Sequence, residues 1–125
     1  MIDHLTIHVT DYEASKALFL AALAPLGYEL VMEFGDDNMK FCGIGPNQQP
    51  NVWLAPSDEV RPYHLAFRAN SQAEVDAFYS AALEAGAKDN GAPGPRPQYH
   101  ANYYAAFVLD GDGYNLEAVI HDHEA

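Results

Sequence analysis

The sequence is poor in cysteine and in positive charge. Cys42 is the only cysteine of the 125 residues, which excludes a disulfide within the chain and a zinc site built from several thiolates. Lysine and arginine number 6 against 18 aspartate and glutamate residues, a formal net charge of −12. Such a field repels phosphate backbones and anionic lipids, so we expect neither nucleic acid nor a membrane as a partner.

Long hydrophobic runs are also missing. The longest nearly uncharged stretch, residues 17–28, is about half the length of a membrane span and contains Pro25. The first residues lack the positive charges and the apolar core of a signal peptide, so we expect a cytoplasmic protein. Hydrophobic residues make up 49% of the chain, which predicts one packed domain over residues 1–125.

The sequence contains an internal repeat. Residues 4–9 alternate between apolar and polar side chains, as expected for a strand, and residues 64–69 do the same. A shift of 60 residues superposes the His-Leu pair that begins each segment and also superposes the Ala-Ala-Leu of 21–23 on that of 81–83. Two copies of one supersecondary unit explain this pattern.

A helical pattern follows each of these strands. Thr10 with Glu13, and Ser71 with Glu74, have the spacing of capping boxes that begin helices. The stretch 89–98 is rich in proline and glycine, which predicts an ordered loop.

The predicted fold class is α+β. It consists of two β-α-β-β-β modules, about 1–56 and 57–125, whose curved mixed sheets surround a shared cavity with the helices outside. Neither module has enough core to fold alone, so we expect them to pack as one domain.

Three potential metal ligands lie on the less apolar faces of the predicted strands. His4 and His64 begin the two related strands, and Glu117 lies on the last one. Two imidazoles and a carboxylate are the ligands of a 2-His-1-carboxylate site. The alternative is two histidines bonded to backbone and one surface glutamate. His121 and His123, in an acidic tail, are expected to be solvated.

A second group of polar aromatic residues follows the predicted loop. Tyr99, His100, Tyr103 and Tyr104 lead from it into a strand. From there His100 can serve as a general acid or base, and a tyrosine can hydrogen-bond an anionic oxygen. The alternative is a tyrosine-rich strand buried for packing, with His100 exposed in the loop.

Three motifs resemble one known family. His4-Leu5-Thr6-Ile7 resembles the opening strand of the vicinal oxygen chelate superfamily, which includes glyoxalases, extradiol dioxygenases and bleomycin-resistance proteins. His64-Leu65-Ala66-Phe67 resembles its central metal-binding strand. Phe107-Val108-Leu109-Asp110-Gly111-Asp112-Gly113-Tyr114-Asn115-Leu116-Glu117 resembles its closing hairpin. The motifs have the order and separation of the family and span nearly the whole chain.

The resemblance implies a divalent metal (Fe, Mn, Zn or Ni) held by His4, His64 and Glu117. Where glyoxalase I carries a fourth ligand, the repeat places Trp53, which cannot ligate a metal; this favours a three-ligand site. The expected catalytic residues are His100 and Tyr103. The expected substrate pocket is lined by Trp53, Tyr99 and Tyr104.

The expected function is that of a metalloenzyme acting on a small molecule that chelates the metal through adjacent oxygens, as a lyase, an isomerase or a ring-cleaving oxygenase. The alternative is a metal-free protein of the bleomycin-resistance type, which would sequester an aromatic or cationic ligand on Trp53 and the tyrosines. A homodimer is expected. The modules that share a cavity come either from one chain or from two.

Overall fold

Two helices and eight strands make up the chain, seen here in a computed structural model that describes residues 2–121. The first half contains β1 (Leu5–Val9), α1 (Tyr12–Leu23), a short 3-10 helix (Ala24–Leu26), β2 (Tyr28–Gly35), β3 (Lys40–Pro46) and β4 (Val52–Pro56). The second half contains β5 (His64–Arg68), α2 (Gln72–Glu84), β6 (Lys88–Pro95), β7 (Tyr104–Leu109) and β8 (Asn115–Ile120). The predicted order β-α-β-β-β is therefore present twice.

The strands form two separate four-stranded mixed sheets. Sheet 1 has the order β1-β4-β3-β2 and sheet 2 the order β5-β8-β7-β6. In each sheet the first strand pairs in parallel with the last, and the remaining neighbours are antiparallel. The α+β prediction is confirmed, although the two sheets do not close into a common barrel.

The register of the parallel pairs confirms the repeat at the level of single residues. Thr6 lies opposite Trp53 in sheet 1, and Ala66 lies opposite Glu117 in sheet 2. Because Ala66 is the repeat counterpart of Thr6, Trp53 is the counterpart of Glu117.

Only one of the two predicted capping boxes begins a helix as expected. Ser71 caps α2, its side chain accepting a hydrogen bond from the backbone N–H of Glu74. In α1 the cap is Asp11 rather than Thr10, and its carboxylate accepts from Ala14 N. Thr10 is instead bonded to Asp112 of the other half through both its N–H and its hydroxyl. Thr10, which the local sequence predicts as the cap, therefore makes a contact between the two halves instead.

The prediction of a loop over 89–98 is wrong for most of that stretch, which forms β6. Proline lacks the N–H that a central strand needs, but β6 lies at the edge of sheet 2, where Pro93 and Pro95 are tolerated. The pairing of β6 with β7 also shifts register around Gly91, as in β-bulges. A segment with the composition of a loop can therefore form a strand here, because it lies at the sheet edge and contains bulges.

The main hydrophobic core runs through both halves. Each helix covers one face of its own sheet, and the two helices also pack on each other. Phe19 of α1 and Phe78 of α2 are fully buried in this core. The opposite face of each sheet carries no helix. Within residues 2–121, neither helix is long and apolar enough to span a membrane.

Two tyrosine hydroxyls of the second half bond to backbone carbonyls of the edge strand β1. Tyr114, which is buried, donates to His8 O at 2.8 Å, whereas the more exposed Tyr63 donates to Thr6 O at 3.5 Å. We expect Tyr114→Phe to lower the free energy of unfolding by about 1 kcal/mol, because it leaves a part-buried carbonyl without this partner. Tyr63→Phe, the matched control, should change it by less than about 0.5 kcal/mol. Urea unfolding measures the free energy of unfolding of both variants. Equal losses in the two would contradict the stabilising role given to the Tyr114 hydrogen bond.

Candidate functional site

A histidine and a buried glutamate meet on the helix-free face of sheet 2. His64 begins β5 and Glu117 lies in the neighbouring strand β8, with His64 Nε2 2.7 Å from Glu117 Oε1. The Glu117 side chain is 1% exposed, whereas that of His64 is 51% exposed. A carboxylate so deeply buried needs partners for both oxygens, and the imidazole provides one of them.

Tyr103 is the second partner of Glu117. Its hydroxyl donates to Glu117 Oε2 from the chain segment just before β7. Burial, followed by this hydrogen bond, raises the pKa of Tyr103, so the phenol keeps its proton and acts as a donor. Phe107, whose ring centroid is 6.1 Å from that of His64, adds an apolar wall with Ala105 and Val119. The pair therefore lies beside an apolar cluster on this face of sheet 2.

His100 extends this group toward the surface. Its ring is 5.3 Å from that of Tyr103, and Tyr99 packs edge-on against Tyr103 at 4.9 Å. The N–H of Asn102 donates to His100 Nδ1, which leaves the proton of the neutral ring on Nε2. That nitrogen is 2.9 Å from His121 Nδ1, so His100 donates to His121.

His121 was predicted to be solvated, and this prediction is wrong. Its ring stacks on His100 and meets Tyr103 edge-on, because the end of β8 brings it beside the segment that precedes β7. His123 lies outside the described residues.

Arg96 was not identified from the sequence. Its guanidinium carbon lies 5.4 Å from the centroid of the Phe107 ring, and its N–H groups donate to the carbonyls of Ala92 and Gly94. The sequence did offer one indication of a special role for Arg96: it is flanked by two prolines in a chain with few positive charges. Its charge favours the ionised form of nearby Tyr103, although burial outweighs that effect on the pKa.

His4 lies apart from the His64–Glu117 pair. It precedes β1 in sheet 1, and its Nδ1 is 2.7 Å from Asp3 Oδ1. A cavity of about 660 Å³ adjoins it, lined also by Asn51 and Trp53. Over residues 2–121, no group of three or more histidine, cysteine, aspartate or glutamate side chains is arranged to hold a metal ion. One chain thus brings together two of the three predicted ligands.

Trp53 lies on the helix-free face of sheet 1 with two phenylalanines that were not identified from the sequence. Phe34 and Phe41 are a cross-strand pair of the β2–β3 hairpin, with ring centroids 5.5 Å apart. The Trp53 ring lies 6.2 Å from each, nearly parallel to that of Phe34. Their symmetrical placement about the turn Asp36–Met39 was the pattern that could have revealed this pair.

Tyr104 lies on the other face of sheet 2 from Tyr103. Its hydroxyl donates to Asp76 of α2 at 2.7 Å, and burial together with this bond raises its pKa to about 12. Successive residues of a strand point to opposite faces, so Tyr103 and Tyr104 cannot line the same pocket. The structure therefore places Tyr103 beside Glu117, with Tyr99 and His100 packed on Tyr103, and it places Tyr104 against the helix.

Comparisons with known proteins agree with this architecture. The sequence matches the family described as the Glyoxalase/Bleomycin resistance protein/Dioxygenase superfamily over residues 1–118. Among proteins with curated descriptions, none matches it significantly.

Solved structures of this family superpose on the chain. A glyoxalase/bleomycin resistance protein from Albidiferax ferrireducens is 24% identical, with a TM-score of 0.71 and coverage of 94% of this chain and 96% of that one. A variant of the fosfomycin resistance protein FosX from Listeria monocytogenes is 18% identical, with a TM-score of 0.70 and coverage of 94% and 90%. A glyoxalase I variant from Zea mays is 21% identical, with a TM-score of 0.71 and coverage of 94% and 46%. These similarities establish the fold.

Proposed function

Because the chain belongs to the Glyoxalase/Bleomycin resistance protein/Dioxygenase superfamily, we propose that it is a metal-dependent enzyme acting on a small molecule with two adjacent oxygens. The reaction class is lyase, isomerase or ring-cleaving oxygenase, and the metal is Fe, Mn, Zn or Ni. The observation that carries this proposal is the buried Glu117 carboxylate in contact with His64. The FosX neighbour was crystallised with Mn(II) and 1S,2S-dihydroxypropylphosphonic acid, whose hydroxyls are on adjacent carbons.

The His64–Glu117 pair fits a divalent ion by chemistry and by spacing. Imidazole nitrogen and carboxylate oxygen are common ligands of first-row metals, and neighbouring donors on one ion are roughly 3 Å apart at bond lengths of about 2.1 Å. The 2.7 Å between His64 Nε2 and Glu117 Oε1 is close to that spacing. Tyr103 fixes the other carboxylate oxygen, as outer hydrogen bonds do in metal sites.

The proposed third ligand, His4, comes from a second copy of the chain. Within one chain the halves pack through their helices, so the two sheets present their helix-free faces separately. A partner module can cover each of these faces. A homodimer in which sheet 1 of one copy faces sheet 2 of the other would bring His4 to His64 and Glu117.

A divalent ion held by His4, His64 and Glu117 would supply a Lewis acid for negative charge on the substrate oxygens. Glu117 is held in one orientation by Tyr103 and supplies the negative charge of the site. His100 carries a proton on Nε2 and shares it with His121, so the pair can accept or release a proton beside Tyr103. Tyr99 packs edge-on against Tyr103, and Phe107 lies beside the His64 ring.

The direct test is metal content. Purified protein is incubated in turn with Fe²⁺, Mn²⁺, Ni²⁺ and Zn²⁺, desalted and examined by element analysis. We expect one ion per chain for at least one of these metals. Protein that retains none of them would favour the second candidate, a metal-free binding protein, for which the exposed aromatic rings around Trp53 are the supporting observation.

Removing the hydroxyl of Tyr103 should weaken the site without abolishing it. Tyr103→Phe keeps the ring but leaves Glu117 Oε2 without its donor. Loss of an outer hydrogen bond lowers metal affinity by about 10- to 100-fold. Calorimetric titration of the variant measures this change. Tyr104→Phe, on the opposite face, is the matched control and should bind as the wild type does; equal losses in both variants would contradict the role given to Tyr103.

A further inference from the structure

Arg96 places a positive charge on the helix-free face of sheet 2. Phe107 lies opposite Glu117 in the pairing of β7 with β8, so the two side chains share that face. The guanidinium of Arg96 lies over the Phe107 ring, and the Phe107 ring in turn lies beside that of His64. The arginine therefore borders the proposed metal site.

The main chain of β6 holds this guanidinium in place. Its terminal nitrogens donate to Ala92 O at 2.7 Å and to Gly94 O at 2.9 Å. Gly91 leaves room for it, because a Cβ at that position would come within 3.2 Å of one terminal nitrogen and 2.9 Å of the Phe107 ring. A guanidinium fixed in this way loses little further freedom when a ligand binds, so its charge is preorganised.

The charge of Arg96 has no acidic partner in the described part of the chain. Among residues 2–121 no carboxylate forms an ion pair with it, although the sequence has 18 acidic residues against 6 basic ones. Its hydrogen-bond acceptors are the neutral carbonyls of Ala92, Gly94 and Pro95. A guanidinium has five N–H groups, so these three carbonyls leave at least two of them for another acceptor.

Arg96 also adjoins the phenol that orients Glu117. Its backbone N–H donates to Tyr103 O at 2.7 Å, which joins the segment after β6 to the segment before β7. A substrate held at His64 and Glu117 would therefore extend toward the guanidinium across the Phe107 ring.

We propose that Arg96 binds an oxyanionic group of the substrate, a carboxylate or a phosphonate, and so restricts the proposed enzyme to anionic substrates. Charged hydrogen bonds to such groups are stronger than neutral ones, and the planar fork of a guanidinium matches a pair of their oxygens. The net charge of −12 repels anions at long range, but salt screens that field beyond about 8 Å, whereas a direct contact persists. This inference rests on the proposed function, because it names the class of substrate for the same site.

The test uses three catechols that offer the metal the same two adjacent oxygens. 3,4-Dihydroxybenzoate and 3,4-dihydroxyphenylphosphonate carry an oxyanion on the ring, whereas 3,4-dihydroxybenzamide carries a neutral amide. Calorimetry measures the affinity of each for the protein with and without Mn²⁺. With Mn²⁺ we expect at least one anion to bind about tenfold more tightly than the amide, and the tighter of the two identifies the group that Arg96 takes. Without Mn²⁺ the preference should be smaller, because the Glu117 carboxylate repels an anion.

Substitution of Arg96 assigns the preference to this residue. Arg96→Gln should remove it and leave the affinity for the amide within about twofold of the wild-type value, whereas Arg96→Lys keeps the charge without the fork and should retain part of it. Lys88→Gln removes an exposed positive charge from the other end of β6 and, as the matched control, should retain all of it. The comparison of ligands in the wild type needs no variant, so it stays decisive if Arg96→Gln does not fold.

Three results would overturn the proposal. Equal affinity of the wild type for the amide and for both anions would mean that the site does not recognise the charge. An equal loss of affinity for all three catechols in Arg96→Gln would show that Arg96 only supports β6. An unchanged preference in that variant would place the contact with the anion elsewhere.

Failure of the metal proposal gives a different result. Protein that retains no metal, but still prefers the anions through Arg96, would remove the metal centre and keep the role of the arginine. Protein that retains metal and binds the three catechols equally would do the reverse.

Discussion

Glu117→Gln is expected to lower the affinity of the protein for Mn²⁺, or for whichever of Fe²⁺, Ni²⁺ and Zn²⁺ the wild type binds most tightly, by at least about a hundredfold. Glutamine preserves the shape of a side chain that is 1% exposed but removes the negative charge that offsets the ion. Loss of an outer partner alone costs up to about a hundredfold, so loss of a charged ligand should cost at least as much. Titration calorimetry measures the change, and His64→Ala should show a loss of similar size.

Matched variants separate ligand loss from general effects. Glu84→Gln removes an exposed carboxylate at the end of α2, and His8→Ala removes an imidazole from β1. Both should bind as the wild type does, and circular dichroism should show all four variants folded. Binding in every protein should weaken on acidification, because imidazole ligates only in its neutral form. Equal affinity in wild type, Glu117→Gln and His64→Ala would mean that any ion binds elsewhere.

Mixing two inactive variants is expected to restore metal binding. If His4 and Glu117 of one site come from different copies, neither His4→Ala nor Glu117→Gln retains an intact site as a homodimer. A mixed dimer has one site carrying both substitutions and one carrying neither. Random reassortment makes about half of the dimers mixed, so about a quarter of the wild-type sites should reappear.

The same experiment decides between the two ways of pairing modules. The variants are unfolded together, refolded and titrated, and each variant refolded alone is the control. Metal binding that returns only in the co-refolded mixture would support a site whose ligands come from two copies of the chain. Sites that depend on ligands from one chain would stay defective in the mixture, and light scattering that shows only monomers would exclude the sharing.

The repeat made much of the fold predictable. Alternation in β1 and β5 and the shared His-Leu start identified related strands, and the faces assigned to His64 and Glu117 agree with their contact. The strand β6 was missed because proline and glycine indicate a loop wherever the neighbouring strands are unknown. Edge position is a property of the sheet, and it is not encoded in residues 88–95 themselves.

The site was less predictable for a related reason. Strand alternation shows on which face His4 lies, but the module opposite that face is determined by packing between halves. The sequence likewise favoured Tyr104 as strongly as Tyr103, and a single step along the strand separates them. Phe34 and Phe41 were not predicted as site residues because the cluster that they form includes Trp53, which lies on another strand.

The proline-rich edge strand also bears on how the protein avoids aggregation. Sheets grow when a free edge offers unpaired N–H and C=O groups to another chain. Pro93 and Pro95 offer no N–H along β6, and tyrosine hydroxyls occupy two carbonyls of β1. The edge strand β2 contains no proline and carries exposed Leu30, Met32 and Phe34, with one register shift between Leu30 and Met32. Fibril-like association between partly unfolded molecules would therefore begin at β2, while the β6 edge resists it.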